Sequence, residues 1–162
     1  MRVLDTAALL HWPVERCRGG IVAISQQDEL LRVDEQRSLL MESASLNWQV
    51  PLETALQQAR EIASETGDLP RLSPVDLDVL ALAIDLNLPL VTDDYRMKNV
   101  ARKAGIPVEG VLTSGGKKQW KWILRCIGCR AEEDVPPNAK QSKKDDVQLC
   151  DRCGSPMKLK KG

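Results

Sequence analysis

Four of the five cysteines of this 162-residue chain stand between residues 126 and 153, as two C-x-x-C pairs, Cys126/Cys129 and Cys150/Cys153, with 20 residues between the pairs. No other feature limits the possible folds so strongly. Two tight turns, each presenting two thiolates, supply the four soft donors that tetrahedral zinc takes at about 2.3 Å. Gly128 inside the first pair and Gly154 after the second suit such turns, where backbone amides approach the sulfurs. Four thiolates leave no position for a water, so the expected zinc is structural, and its binding supplies most of the folding energy of so small a module.

The first 114 residues contain only Cys17, and charge divides the chain at the same place. Residues 1–114 carry 11 Lys and Arg against 17 Asp and Glu, net −6, whereas residues 115–162 carry 12 against 6, net +6. An acidic body with a basic tail points to an anionic polymer such as nucleic acid. A hydrophobic content of 43% suits a globular protein. No stretch reaches the roughly 20 apolar residues that span a bilayer, and "MRVLDTAALL" sets Asp5 inside its one apolar run, unlike a secretory signal. The expectation is a soluble, cytoplasmic monomer with reduced cysteines, no membrane association and no dinucleotide cofactor.

Along the body, short apolar runs alternate with helical patterns. "RVLD" (2–5), "GGIVAI" (19–24), "PLVT" (89–92) and "IPVEGVL" (106–112) read as strands. Between them, Ser25 with Asp28 reads as a capping box opening one helix through "ELLRVDEQRSLLMESA". "LETALQQAREIASETG" reads as a second helix, opened by Pro51 and closed by Gly67. "LSPVDLDVLALAIDLN" starts a third, with Ser73 as cap and Pro74 at the first helical position, and "YRMKNVARKAG" forms a fourth. This alternation predicts an α/β layered domain with a parallel sheet over residues 1–112, a polar linker over 113–119 and the cysteine module over 120–162. "PPNAKQSKKDD" (136–146) reads as a charged loop needing no structure of its own.

Ligands of parallel sheets bind outside the carboxyl ends of the strands. Asp5 and the adjacent Asp93 and Asp94 stand at such ends, while Asp76 and Glu29 lie in the first turns of helices. Two neighbouring carboxylates repel unless they share a cation. Convergent acids suit Mg²⁺ or Mn²⁺, hard ions that prefer oxygen and promote phosphodiester hydrolysis. Each acid also has a plainer use: Asp76 can complete the Ser73 cap, Asp28 the Ser25 cap, and Glu29 can be a solvated helix residue. His11, the single histidine, is expected beside a loop, and Cys17 in a loop or as a buried thiol. Lys117, Lys118, Trp120, Lys121, Trp122 and Arg125 interleave cations with aromatics, a composition that holds phosphates and stacks on bases. The tryptophans can equally serve to cover the zinc core.

"VLDTAALL", "LSPVDLDVLALAIDLNLPLVTDDYRMKNVA" and "WKWILRCIGC…CDRCGSPMK" resemble the PIN-domain endoribonucleases with a zinc ribbon that mature the 3′ end of small-subunit ribosomal RNA. The resemblance covers nearly the whole chain. It implies a PIN-like parallel sheet flanked by helices with a C-terminal zinc ribbon, and a metal-dependent nuclease cutting single-stranded precursor RNA. Mg²⁺ or Mn²⁺ would be held by Asp5, Asp76 and Asp94, with Asp93 as a further acid of the subfamily. The family's second acid falls on Glu29, with Asp28 as the alternative. Precursor ribosomal RNA and the immature small subunit are the implied partners. Two other readings make different predictions: a general PIN ribonuclease of the toxin kind, whose chains usually lack a ribbon, and a non-catalytic RNA-binding assembly factor, which would tolerate loss of Asp5 or Asp94. A zinc-ribbon transcription accessory leaves the acids without a use.

Overall fold

The computed structural model describes residues 1–113, 118–142 and 147–162. Of the expected RNA-contacting residues, Lys117 lies outside them, as does part of the 136–146 loop.

The body alternates β1 (Val3–Leu4), α1 (Thr6–His11), α2 (Val14–Cys17), β2 (Ile21–Ala23), α3 (Gln26–Val33), α4 (Glu35–Met41), β3 (Asn47–Gln49), α5 (Glu53–Thr66), α6 (Pro74–Leu86), β4 (Leu90–Val91), α7 (Tyr95–Lys103) and β5 (Val108–Glu109). Its five strands are parallel in the order β3-β2-β1-β4-β5. Side chains alternate across the sheet, so Val3, Ile21 and Leu90 face one layer while Leu4, Val22 and Val91 face the other. The first face is covered by α5, α6 and α7, through residues such as Ala59, Leu80 and Val100. The second is covered by α1, α3 and α4, with Leu9, Trp12, Leu30 and Met41. The result is the expected α/β sandwich.

Local signals account for the best-read helices. In α6 the Ser73 hydroxyl accepts the Asp76 amide at 3.1 Å, the Asp76 carboxylate accepts the Ser73 amide at 2.9 Å, and Pro74 stands at the first helical position. Helix α5 begins at Glu53, two residues past Pro51, and Gly67 closes it in the left-handed region at φ 81°.

The expected single helix after Ser25 is two. Asp34 is extended (φ −154°, ψ 96°) and its side chain accepts the Arg37 amide, capping α4, because a short acidic side chain satisfies a helix start better than it continues a helix. Ser25 makes no cap; its hydroxyl donates to Asp78 instead, at 2.7 Å. Strand β3 and helices α1 and α2 were not signalled by periodicity, being only three, six and four residues long. His11 is exposed at the end of α1 rather than packed beside a loop. Cys17 is fully buried, and its thiol points to the Ala8 carbonyl at 3.6 Å.

The basic tail folds as a four-stranded antiparallel sheet of β6 (Trp122–Cys126), β7 (Glu132–Asp134), β8 (Gln148–Leu149) and β9 (Pro156–Lys161), ordered β7-β6-β9-β8. Its buried Leu124, Met157 and Leu159 belong to the same apolar cluster as α5, α6 and α7, so the two sheets share one core. Asn99 of α7 pins the junction. Its amide donates to Asp68 (2.6 Å) and to the Trp120 carbonyl (2.9 Å), and its oxygen accepts from the Trp120 amide and the Gln119 side chain, both at 2.7 Å. The 136–142 segment is not free of structure: Ser142 donates to the Pro70 carbonyl at 2.7 Å and Ala139 is buried against the body.

Gly67 lies in this junction, and a Cβ there would fall 2.0 Å from the Trp122 carbonyl oxygen. Gly105, at φ 77°, has nothing within 4 Å of the same position. Gly105→Ala should therefore cost only the backbone term of about 1 kcal/mol, or about 2–4 °C in melting temperature for a chain of this size. Gly67→Ala should cost clearly more, because β6 must move. Equal losses in thermal denaturation would show that the ribbon gives way freely.

Candidate active site and metal centre

The C-terminal ends of β1 and β4 carry the first two acids, and each is held by backbone groups it meets there. Asp5 caps α1: its Oδ1 accepts the Thr6 amide at 2.8 Å and its Oδ2 accepts the Thr92 hydroxyl at 2.7 Å. Asp94 caps α7, accepting the Arg96 amide at 2.9 Å, while its own amide donates to the Thr92 hydroxyl oxygen at 3.0 Å. Thr92, fully buried, thus ties the two acids together through one hydroxyl. Asp76 in the first turn of α6 faces them. Carboxylates at helix starts are stabilised by the amides exposed there, which allows the chain to gather acids at one place.

The electrostatics record the crowding. Burial pushes the Asp5 carboxyl up to about 7, against the pull of the Thr92 hydroxyl and Thr6 amide, and the charges of Asp76 and Asp94 push the same way. Asp76 is also raised, first by burial and then, opposing the Ser73 bonds, by the charges of Asp94 and Glu29. Among the described residues, salt bridges are seen elsewhere: Arg2 and Arg16 to Glu109, Arg18 to Glu15, Lys121 to Asp134 and Arg125 to Glu132. Asp5, Asp76 and Asp94, with Glu29 near Asp76, stand outside these pairs, and their carboxylate oxygens are the kind of donor that could hold Mg²⁺ or Mn²⁺ with several waters kept. Glu29 is half-buried on α3 and acts on Asp76, whereas Asp28 is exposed beside it.

Asp93 has a different setting. Its two oxygens accept the amides of Val111 (2.7 Å), Leu112 (2.9 Å) and Thr113 (3.3 Å) and the Thr113 hydroxyl (2.8 Å). Partial burial works to raise its pKa, but these four donors outweigh it and hold the carboxyl at about 2. Gly110 makes this wrap possible, since a Cβ there would lie 1.7 Å from the Thr113 carbonyl oxygen. The adjacent carboxylates that look like one motif in sequence therefore point to separate tasks, one toward the acids and one into the loop after β5.

In the ribbon, the sulfurs of Cys126, Cys129, Cys150 and Cys153 all lie within 4.8 Å of one another, and among the described residues this is the group of three or more candidate ligands so closely gathered. Cys126 and Cys153 are 3.3 Å apart and Cys129 and Cys150 3.7 Å, near the spacing of about 3.8 Å that tetrahedral bonds of 2.3 Å impose. The Gly128 and Cys129 amides donate to the Cys126 sulfur, as tight turns of this type require. Hydrogen bonds from the Ser155 hydroxyl and amide draw the Cys153 thiol down to about 6, toward the thiolate a metal takes. The quartet fits zinc.

The expected RNA-contacting residues that are described stand in several different settings. Trp120 and Trp122 are half-buried, Lys161 stacks on Trp120 at 3.7 Å, and Arg96 of α7 lies over Trp122 at 5.5 Å. Lys118 is exposed, 5.6 Å from the Trp120 ring. Lys121 pairs with Asp134 at 3.1 Å and Arg125 with Glu132 at 2.9 Å, surface pairs that a phosphate can displace at little cost. Sequence reasoning missed Thr92, Gln26 and Asp78. Thr92 had a signal, two residues before Asp94 at a strand end.

The sequence is similar to known proteins over most of its length. The profile described as "PIN domain of ribonuclease" matches residues 3–86. Endoribonuclease Nob1 of Pyrococcus abyssi is 37% identical, over 78% of this chain and 75% of its own length. Endoribonuclease Nob1 of Methanocaldococcus jannaschii is 32% identical, over 99% of this chain and 77% of its own. Ribonuclease VapC1 of Thermoplasma acidophilum is 40% identical, over 64% of this chain and 48% of its own. The chain belongs to the PIN-domain family of ribonucleases, among the endoribonucleases related to Nob1. No helix among the described residues is long and apolar enough to cross a membrane.

Proposed function

We propose that the protein is a divalent-metal-dependent endoribonuclease that cuts single-stranded precursor small-subunit ribosomal RNA near its 3′ end, acting in the cytoplasm as a monomer on the immature small subunit. Residues 1–112 are the nuclease domain and residues 120–162 the zinc ribbon. The observation that carries the reading is that Asp5 and Asp94, which cap α1 and α7, are joined through the one hydroxyl of Thr92, while burial and the charges of nearby acids oppose the ionisation of Asp5 and Asp76. Such a setting costs stability without a cation and is matched by one.

Asp5, Asp76 and Asp94 would hold Mg²⁺ or Mn²⁺ and Glu29 would complete the site. The ion would supply charge neutralisation, a more acidic attacking water and stabilisation of the leaving oxygen. Thr92 keeps Asp5 and Asp94 in fixed relation. Asp93 braces the 111–113 turn at the rim of the site. Zinc on the four cysteines keeps the ribbon folded, and exposed cations of the linker and ribbon, with Lys118 foremost, hold the RNA backbone against the acidic body. Cleavage would leave a 3′-hydroxyl and a 5′-phosphate.

The test uses a short RNA spanning the 3′ end of the small-subunit ribosomal RNA, with Mn²⁺ or EDTA, and wild type beside Asp94→Asn. Cleavage at one position in Mn²⁺, absent in EDTA and lost in the variant with RNA binding retained, is expected. Binding without cleavage by both proteins, on naked RNA and on immature subunits alike, would favour the assembly-factor reading. Cleavage at many unrelated positions would favour a general ribonuclease.

A further inference from the structure

Strands β1 and β2 run parallel, and their ladder starts normally, with the Ile21 amide on the Arg2 carbonyl at 3.0 Å and Val3 opposite Ile21. The even spacing of a parallel ladder puts the next rung between the Ala23 amide and the Leu4 carbonyl. That rung is not made directly. The side chain of Gln26 stands in its place: Oε1 accepts the Ala23 amide at 2.7 Å and Nε2 donates to the Leu4 carbonyl at 3.0 Å. The second Nε2 hydrogen goes to the Thr6 hydroxyl at 3.2 Å. Gln26 is fully buried, with both donors and its acceptor used.

An inserted carboxamide spreads the two strands by one amide width at their carboxyl ends, which is where the acids gather. Leu4 and Thr6 flank Asp5. Gln26 is the first residue of α3, and Glu29 follows three residues later on the same face of that helix. One side chain therefore joins the peptide that carries Asp5 to the helix that carries Glu29. We propose that Gln26 is a positioning residue of the nuclease site, whose amide, inserted as a surrogate rung between β1 and β2, sets the separation of Asp5 from Glu29. A plain core role would be met by any apolar side chain of this volume, and a buried amide is stable only where every polar atom is paired. The inference rests on the reading of the four acids as a Mg²⁺ or Mn²⁺ site.

Gln26→Met keeps the length and loses all three bonds. Gln26→Glu keeps the Ala23 bond but, ionised, cannot donate to Leu4 and Thr6. Mn²⁺ affinity is read by electron paramagnetic resonance, kcat and KM on the short RNA, and zinc content and circular dichroism report the fold. Folded, zinc-loaded variants should bind Mn²⁺ about 10–100-fold more weakly and lose kcat by a similar factor, with KM within about twofold of wild type. A purely structural residue would lower the melting temperature and leave Mn²⁺ affinity and kcat of the folded protein unchanged, which overturns the proposal. Should neither variant fold, Mg²⁺ titration of ¹⁵N-labelled wild type decides: the Gln26 side-chain amide signals should shift together with the Asp5 and Glu29 backbone amides, and fixed Gln26 signals overturn the proposal. Absence of Mn²⁺ binding by the wild type would instead remove the metal-site reading, and the inference with it.

Discussion

Asp5→Asn should abolish RNA cleavage and, in metal-free buffer, make the protein harder to unfold. The first effect follows from removing a buried carboxylate from the proposed donor set. A loss of several kcal/mol of transition-state stabilisation corresponds to about a thousandfold or more in rate. The second follows from linkage. The Asp5 carboxyl has a folded-state pKa of about 7 against an ordinary 3.8. A raised acid contributes fully below its unfolded pKa, and that contribution is lost as pH rises through the folded value. Between pH 4 and 7 the apo wild type should therefore lose up to about 4 kcal/mol through this one group. Asparagine cannot ionise, yet it can still accept the Thr6 amide and donate to Thr92. The variant's advantage in urea unfolding should be near zero at pH 4, grow toward pH 7 and level off above it. Saturating Mn²⁺ should raise the wild-type midpoint and leave the variant's unchanged. A variant no more stable than wild type at pH 8 without metal would show that burial and the neighbouring acids do not oppose the ionisation of Asp5.

Removing the metal of the cysteine quartet should lower the stability of the whole chain. Structural zinc sites in small modules are worth about 10–16 kcal/mol of apparent binding free energy, as much as most domains possess in total. Here the ribbon does not stand alone. Leu124, Met157 and Leu159 share a core cluster with Leu80 and Val100, and Asn99 binds the Trp120 backbone in both directions. A Cys129→Ser/Cys153→Ser protein should contain no zinc and melt more than about 10 °C lower by circular dichroism, with the signal of the body falling in the same transition. A zinc-free variant that kept the wild-type melting temperature would mean that the ribbon is dispensable to the body and only rests on it.

Much of the architecture was legible because its signals are local. Ser73-Pro74 with Asp76 writes a helix start within four residues, Gly67 marks a helix end, and each C-x-x-C holds its two donors within a single turn. Where two local signals competed, the reading failed. Ser25 with Asp28 looked like a cap, but Asp78, 53 residues away, takes the Ser25 hydroxyl. Asp34 looked like one more residue of a polar helix face and instead divides α3 from α4. Asp93 and Asp94 are indistinguishable by type, and the backbone direction at the end of β4 alone sends one carboxylate to the Val111–Thr113 amides and the other to the start of α7.

The sequence by itself determined the α/β body with its parallel strands, the acids at strand ends and helix starts, and the cysteine quartet, because these are set by periodicity and by contacts within one turn of chain. Only the tertiary structure decided that Thr92 joins Asp5 to Asp94, that the Gln26 amide replaces a rung of the sheet, and that Asn99 locks the ribbon to the body. Those bonds link residues 87, 22 and 21 positions apart. Their partners are chosen by which polar groups packing leaves buried and unpaired, a condition no local stretch of sequence records.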